Sequence, residues 1–150
     1  MMDDVSQILK DFNGHYLEDM VIGMTAMTIK TITDADVLMY SAVSGDTNPV
    51  HLNQEYANGS AFQGRVAHGM LIAGLISTVL GTMLPGPGCI YVSQTLKFKV
   101  AVRVGDTVKA RVTVMDIDPE KRQVSLRTVC SVGESVVLDG DAVVIAPRQI

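Results

Sequence analysis

From Gly69 to Leu84 the chain carries no charged side chain. Met70, Leu71, Ile72, Leu75, Ile76, Val79, Leu80, Met83 and Leu84 fall on nearly every face of a helix drawn over about 67–84. A helix that is apolar all round has to sit inside something. The segment is too short for a membrane span, and Gly74, Ser77, Thr78, Gly81 and Thr82 interrupt it. Pro85-Gly86-Pro87-Gly88 stops it sharply. The rest of the chain must therefore supply a wrapping for one central helix.

The residues after that stop read as strands at about 89–101, 106–118, 122–132 and 135–146. Val, Ile and Thr dominate there, and polar residues alternate through Val108-Lys109-Ala110-Arg111-Val112-Thr113-Val114. Gly105-Asp106, Asp118-Pro119-Glu120-Lys121 and Gly133-Glu134 provide the turns. Upstream, Val21-Ile22-Gly23-Met24 turns into a strand at about 24–32. Thr33 then caps a helix with Asp34 and Asp36 in its first turn, and Gly45 ends it after Ser44. Residues 46–49 form a turn, and about 50–64 a short irregular or helical piece. Consecutive strands joined by short turns give an antiparallel sheet. The expected class is α+β, a long central helix wrapped by a curved antiparallel sheet.

A chain of 150 residues suits one domain. Residues 1–15 are expected to be an N-terminal extension and 16–150 the domain. Hydrophobic residues at 47% and charged ones at 19% fit a globular protein. A net charge of −4 argues against nucleic acid as a partner. The acidic start Met1-Met2-Asp3-Asp4 has no apolar leader behind it. Cys89 and Cys130 show no pairing pattern and suit small buried thiols in a reducing compartment. A cytoplasmic protein with no membrane partner is expected.

Two segments carry candidate chemistry. Ser44-Gly45-Asp46-Thr47-Asn48-Pro49-Val50-His51 places a carboxylate and an imidazole five positions apart around a turn. Alone, Asp46 is better explained as bracing the turn, and His51 as structural or merely exposed. Together they can hold one water molecule and handle its protons. In Val66-Ala67-His68-Gly69-Met70 a helix begins without Ser, Thr, Asp or Asn to cap it. Its first N–H groups face either a ligand, at the end of the helix that favours negative charge, or a loop carbonyl or water that fills the place. The oxygen of a thioester becoming an enolate is such a charge. The two features together suit adding water to, or removing it from, an activated double bond. Ser77, amid apolar neighbours, has no nucleophile setting; a buried hydroxyl there needs a partner, and the Asp46 turn is one candidate. Asp46, His51 and His68 have metal-ligand chemistry but no ligand spacing, so no metal is expected. The glycines form no phosphate-binding fingerprint. Arg65, Lys97, Lys99 and Arg103 read as solvated edges, with contacts to the phosphates of a large carrier as the weaker option. Met20, Met24, Met27 and Met39 are candidate tunnel residues or core filler.

At these positions the chain resembles the MaoC-like hydratases, specifically the (R)-specific enoyl-CoA hydratases, over about residues 16–146. The matching blocks are Ser44-Gly45-Asp46-x-Asn48-Pro49-x-His51, Phe62-x3-Val66-Ala67-His68-Gly69-Met70, Leu84-Pro85-Gly86-x-Gly88-x-Ile90-Tyr91, Gln94-x-Leu96-x-Phe98 and Val104-Gly105-Asp106. The resemblance implies a hot-dog fold, usually paired into a dimer, with a higher homo-oligomer as the alternative. It implies Asp46 and His51 as the catalytic pair, the Gly69 N–H as oxyanion donor and Ser77 as a supporting serine. His68, Gly69 and Met70 are then the substrate-binding segment. It also implies reversible hydration of trans-2-enoyl-CoA to (R)-3-hydroxyacyl-CoA, with coenzyme A arriving as part of the substrate and no separate cofactor. Dehydration of 3-hydroxyacyl-[acyl-carrier-protein], a thioesterase reaction, and non-catalytic acyl-CoA binding are the competing readings. Ala101 departs from the family pattern, where many members have Pro.

Overall fold

The computed structural model describes Phe12 and residues 14–149. A 3-10 turn at Leu17–Asp19 leads into β1 (Thr25–Thr31), α1 (Asp34–Ser44), α2 (Pro49–Leu52), α3 (Gln54–Asn58) and α4 (Gly69–Thr82). Then come β2 (Ile90–Gln94), β3 (Lys97–Phe98), β4 (Thr107–Asp118), β5 (Gln123–Val132) and β6 (Ser135–Ile145). The strands form one antiparallel sheet in the order β1-β4-β5-β6-β2, with β3 also paired to β6.

Alternation explains which face of the sheet turns inward. Val108, Ala110, Val112 and Val114 of β4 are fully buried, as are Val124, Thr128 and Cys130 of β5 and Ala142 and Val144 of β6. All but Thr128 join Ile72, Leu75, Ile76, Val79 and Leu80 of α4 in a single core. Each such Val, Leu or Ile contributes roughly 1.5–3 kcal/mol by leaving water. Cys130 belongs to this core as a small hydrophobe. Burial pushes its thiol up to about 12, and neither Cys130 nor Cys89 is in a disulfide. No helix among the described residues is long and apolar enough to cross a membrane.

The structure departs from the sequence-based expectations in three places. The strand expected over 89–101 is two pieces. Its backbone crosses β6 so closely that a β-carbon on Gly140 would lie 1.7 Å from the Thr95 carbonyl oxygen. Thr95 instead bonds Asp141 through its N–H at 2.9 Å. Second, α4 begins at Gly69 rather than 67, because the Ala67 N–H is held by the Val102 carbonyl at 2.7 Å. Third, α4 is not covered all round within the chain. Met70, Gly74, Ser77, Thr78 and Gly81 are exposed along its outer face.

Most of the expected N-terminal extension lies outside the described residues. Of its final part, Gly14 and His15 donate to the carbonyls of Pro87 and Pro85. Leu17 and Met20, just beyond it, are buried in the core.

Candidate active site

The turn after α1 is built by side chains in relay. Gly45 takes the left-handed conformation (φ 77°) that ends α1. The Asp46 N–H donates to Ser44 Oγ, the Asn48 N–H to Asp46 Oδ1, and the Val50 N–H to Asn48 Oδ1, at 3.1–3.2 Å. Asn48 thereby caps α2, and Pro49 sits at its first position. This relay leaves Asp46 exposed and brings His51, on α2, half-buried beside it. An Asp46 carboxylate oxygen, a His51 ring nitrogen and a His68 ring nitrogen lie within 4.8 Å of one another.

Each ring is oriented by a carbonyl. His51 Nδ1 lies 2.7 Å from the Val66 carbonyl oxygen. A carbonyl only accepts, so Nδ1 carries the proton and Nε2 of the neutral ring is a bare acceptor. The ring proton is therefore engaged, and Nε2 has to gain a proton before it can give one. Arg65 holds the same segment from outside, donating through Nε to the His51 carbonyl at 2.7 Å and pairing with Asp34 at 2.6 Å. His68 Nε2 lies 2.9 Å from the Asp46 carbonyl oxygen and 3.2 Å from Ser41 Oγ. Its ring stacks on His51 with centroids 3.7 Å apart and planes 28° apart. The three side chains have metal-ligand chemistry and lie close enough together for one ion.

His68 also stands at the N-cap of α4 and makes no capping bond with its side chain. The Gly69 N–H has no protein acceptor among the described residues. A β-carbon on Gly69 would lie 2.6 Å from the Phe98 ring and would displace it. Asp46, His51, His68 and Gly69 share a cavity of about 550 Å³ whose other walls include Val50, Ile72, Phe98, Val102 and Leu138. A polar corner with a carboxylate, an imidazole and a free backbone donor opens onto an apolar chamber.

The structure brings Asp46, His51, His68, Gly69 and Met70 to one cavity and leaves Ser77 out of it. Ser77 is exposed and lines a second cavity of about 450 Å³ with Met70, Gly74, Tyr91 and Gln94. The serine tied into the Asp46 network is Ser41, which is buried. The sequence hint for Ser41 was a hydroxyl one helical turn before Gly45, too common to single out. Of the four methionines considered for a tunnel, none lines the main cavity: Met20 is core, Met24 packs against it, and Met27 and Met39 are exposed. Among the basic residues, Lys99 reaches the cavity wall and pairs with Asp139 at 2.7 Å. Its hydrogen bond, with Arg127 nearby, holds the Asp139 carboxyl below the usual aspartate range. Arg103 donates instead to the Phe62 carbonyl.

Residues 21–135 match the family described as the MaoC like domain. The chain belongs to the MaoC-like family. Within the family it is 53% identical to the (R)-specific enoyl-CoA hydratase of Rhodospirillum rubrum, covering 90% of this chain and 94% of that protein. It is 48% identical to the 3-hydroxybutyryl-CoA dehydratase of Methylorubrum extorquens, covering 95% and 90%. Among solved structures, an unliganded R-hydratase from Pseudomonas aeruginosa superposes with a TM-score of 0.85 at 37% identity, over 91% of this chain and 88% of that one. The sheet and central helix described above are thus a hot-dog fold, as the sequence resemblance implied.

Proposed function

We propose that this MaoC-like protein is a hydro-lyase that reversibly hydrates trans-2-enoyl-CoA to (R)-3-hydroxyacyl-CoA. The observation that carries the reading is the convergence of Asp46, His51 and the Gly69 N–H on one apolar-walled cavity. The Asp46 carboxylate and the bare Nε2 of His51 are both acceptors. A water between them donates one hydrogen to each and turns a lone pair toward C3 of the enoyl group. As the C3–O bond forms, a water proton passes to this pair, and the same pair returns a proton to C2. The electrons of the double bond move meanwhile onto the thioester oxygen. The Gly69 N–H, at the positive end of α4, stabilises that charge before C2 is protonated. Water and substrate supply every atom, and coenzyme A enters only as the acyl carrier. The R configuration and the CoA carrier are carried over from the relatives' activities.

We also propose that the protein works as a homodimer. The exposed face of α4 lies beside the edge strand β2, where Ile90, Tyr91 and Val92 are exposed. An open sheet edge next to apolar surface is suited to pairing with a second copy. Ser77 stands on that face, so a supporting role for it is exercised toward whatever covers the face.

Crotonyl-CoA hydration, with chiral analysis of the product, is the test. Asp46→Asn and His51→Ala are each expected to lower kcat roughly 10²–10⁴-fold while the fold is retained. Near wild-type rates in both folded variants overturn the assignment.

A further inference from the structure

His68 meets more of the site than any residue assigned a chemical part in it. Its side chain is 2% exposed. Because a carbonyl cannot donate, the 2.9 Å contact with the Asp46 oxygen puts the proton of His68 on Nε2. Ser41 Oγ, at 3.2 Å from the same nitrogen, is then a second acceptor. Nδ1 is buried and has no protein partner among the described residues, as a bare nitrogen of the neutral ring can be. One face of the imidazole carries His51 at 3.7 Å. Tyr40 lies 4.7 Å away, tilted by 57°. Two residues of α1, the turn bearing Asp46 and the helix bearing His51 are thus referenced to one ring at the first turn of α4.

We infer that His68 is a positioning residue of the hydration reaction: its Nε2–H fixes the Asp46 turn while its ring face sets the plane of His51. This rests on the hydratase reading above. The two parts of the job need different chemistry. The turn needs an N–H donor, and the His51 ring needs a flat, uncharged surface. A glutamine keeps a donor and loses the surface, whereas a phenylalanine keeps the surface and loses the donor. Only an imidazole does both from one buried position. Its attachment to the residue before Gly69 places the oxyanion donor in register with the water-holding pair. That register matters because misplacement of reacting groups by about 1 Å can cost on the order of 100-fold in rate.

The test is the kinetics of His68→Gln and His68→Phe on crotonyl-CoA, with the His51 ring resonances followed by NMR in the unliganded protein. Positioning requires kcat to fall on the order of 100-fold in both variants. KM should move less than about threefold, since the loss is in transition-state geometry. The ring-current shift on His51 should be present in the wild type, disappear in His68→Gln and survive in His68→Phe. Folded variants with near wild-type kcat, or a loss confined to KM, overturn the inference, as do unshifted His51 signals in the wild type. If both variants fail to fold, Ser41→Ala decides. It keeps the imidazole and removes one acceptor, with an expected drop in kcat of about fivefold; no drop overturns the inference. A wild type inactive on enoyl thioesters removes the hydratase reading alone, and the His51 resonances still decide whether His68 holds that ring.

Discussion

The two long helices of this chain begin in opposite ways. At α1 the start is closed. Thr33 Oγ1 accepts from the Asp36 N–H at 3.2 Å, and Asp36 Oδ2 accepts from the Thr33 N–H at 2.8 Å. Lys30 adds an ion pair to Asp36 at 3.2 Å. At α4 the start is open. His68 turns its side chain back toward Asp46, and Gly69 offers an N–H with nothing attached. Every helix has the same unpaired donors in its first turn. α1 closes one of them with Thr33, and α4 leaves one open beside the cavity. On the hydratase reading proposed above, the open start serves the thioester oxygen, at some cost to the fold.

The strongest attack on that contrast is Gly69→Ala. The added carbon meets the Phe98 ring, which is half exposed and able to swing away. The fold should hold, while the displaced ring and the misaimed N–H lower kcat by roughly 10²–10³-fold. Rate assays with a thermal melt check this, and a fully active Gly69→Ala enzyme would remove the oxyanion role. The opposite result is expected at α1. Thr33→Ala should cost about 1 kcal/mol of stability by denaturant titration and leave kcat unchanged. A large loss of activity there would mean that the two helix starts are not functionally separate. The smallest effect is electrostatic. The Thr33 backbone N–H, the largest influence, holds the Asp36 carboxyl below its ordinary value. A lowered carboxylate contributes stability that is complete above the ordinary aspartate value and is lost as pH falls through its folded value. The stability gap between wild type and Asp36→Asn, about 0.5 kcal/mol at neutral pH, should therefore shrink only on the acid side of the ordinary aspartate range. A gap that is constant with pH would assign the effect to packing.

Local rules carried the reading of the sequence a long way. The limits of α1 followed from Thr33 and Gly45, and the β4, β5 and β6 limits fell within a residue or so of their turns. The turn from Ser44 to Val50 was legible because its bonds span two residues, and such bonds are properties of composition. The missing cap at α4 was legible for the same reason. Ser41, Tyr40 and Arg65 were not, because their importance comes from partners 14 to 31 positions away. Nor was the break between β2 and β3, which depends on Gly140 passing under Thr95. Ser77 was read as buried because its neighbours in sequence are apolar; helix phase instead places it on the outer face with Met70 and Gly74.

The amino-acid sequence by itself determined most of the elements, the apolar pattern of the core and the two segments that carry the candidate chemistry, since periodicity, capping and turn formation act over a few residues. Tertiary structure alone decided which serine stands with Asp46, which nitrogen of each imidazole holds the proton, and that His68 lies face to face with His51. Those outcomes depend on which carbonyl or ring is brought within about 3–4 Å through the fold, and contacts at that range across distant positions leave no local pattern to read.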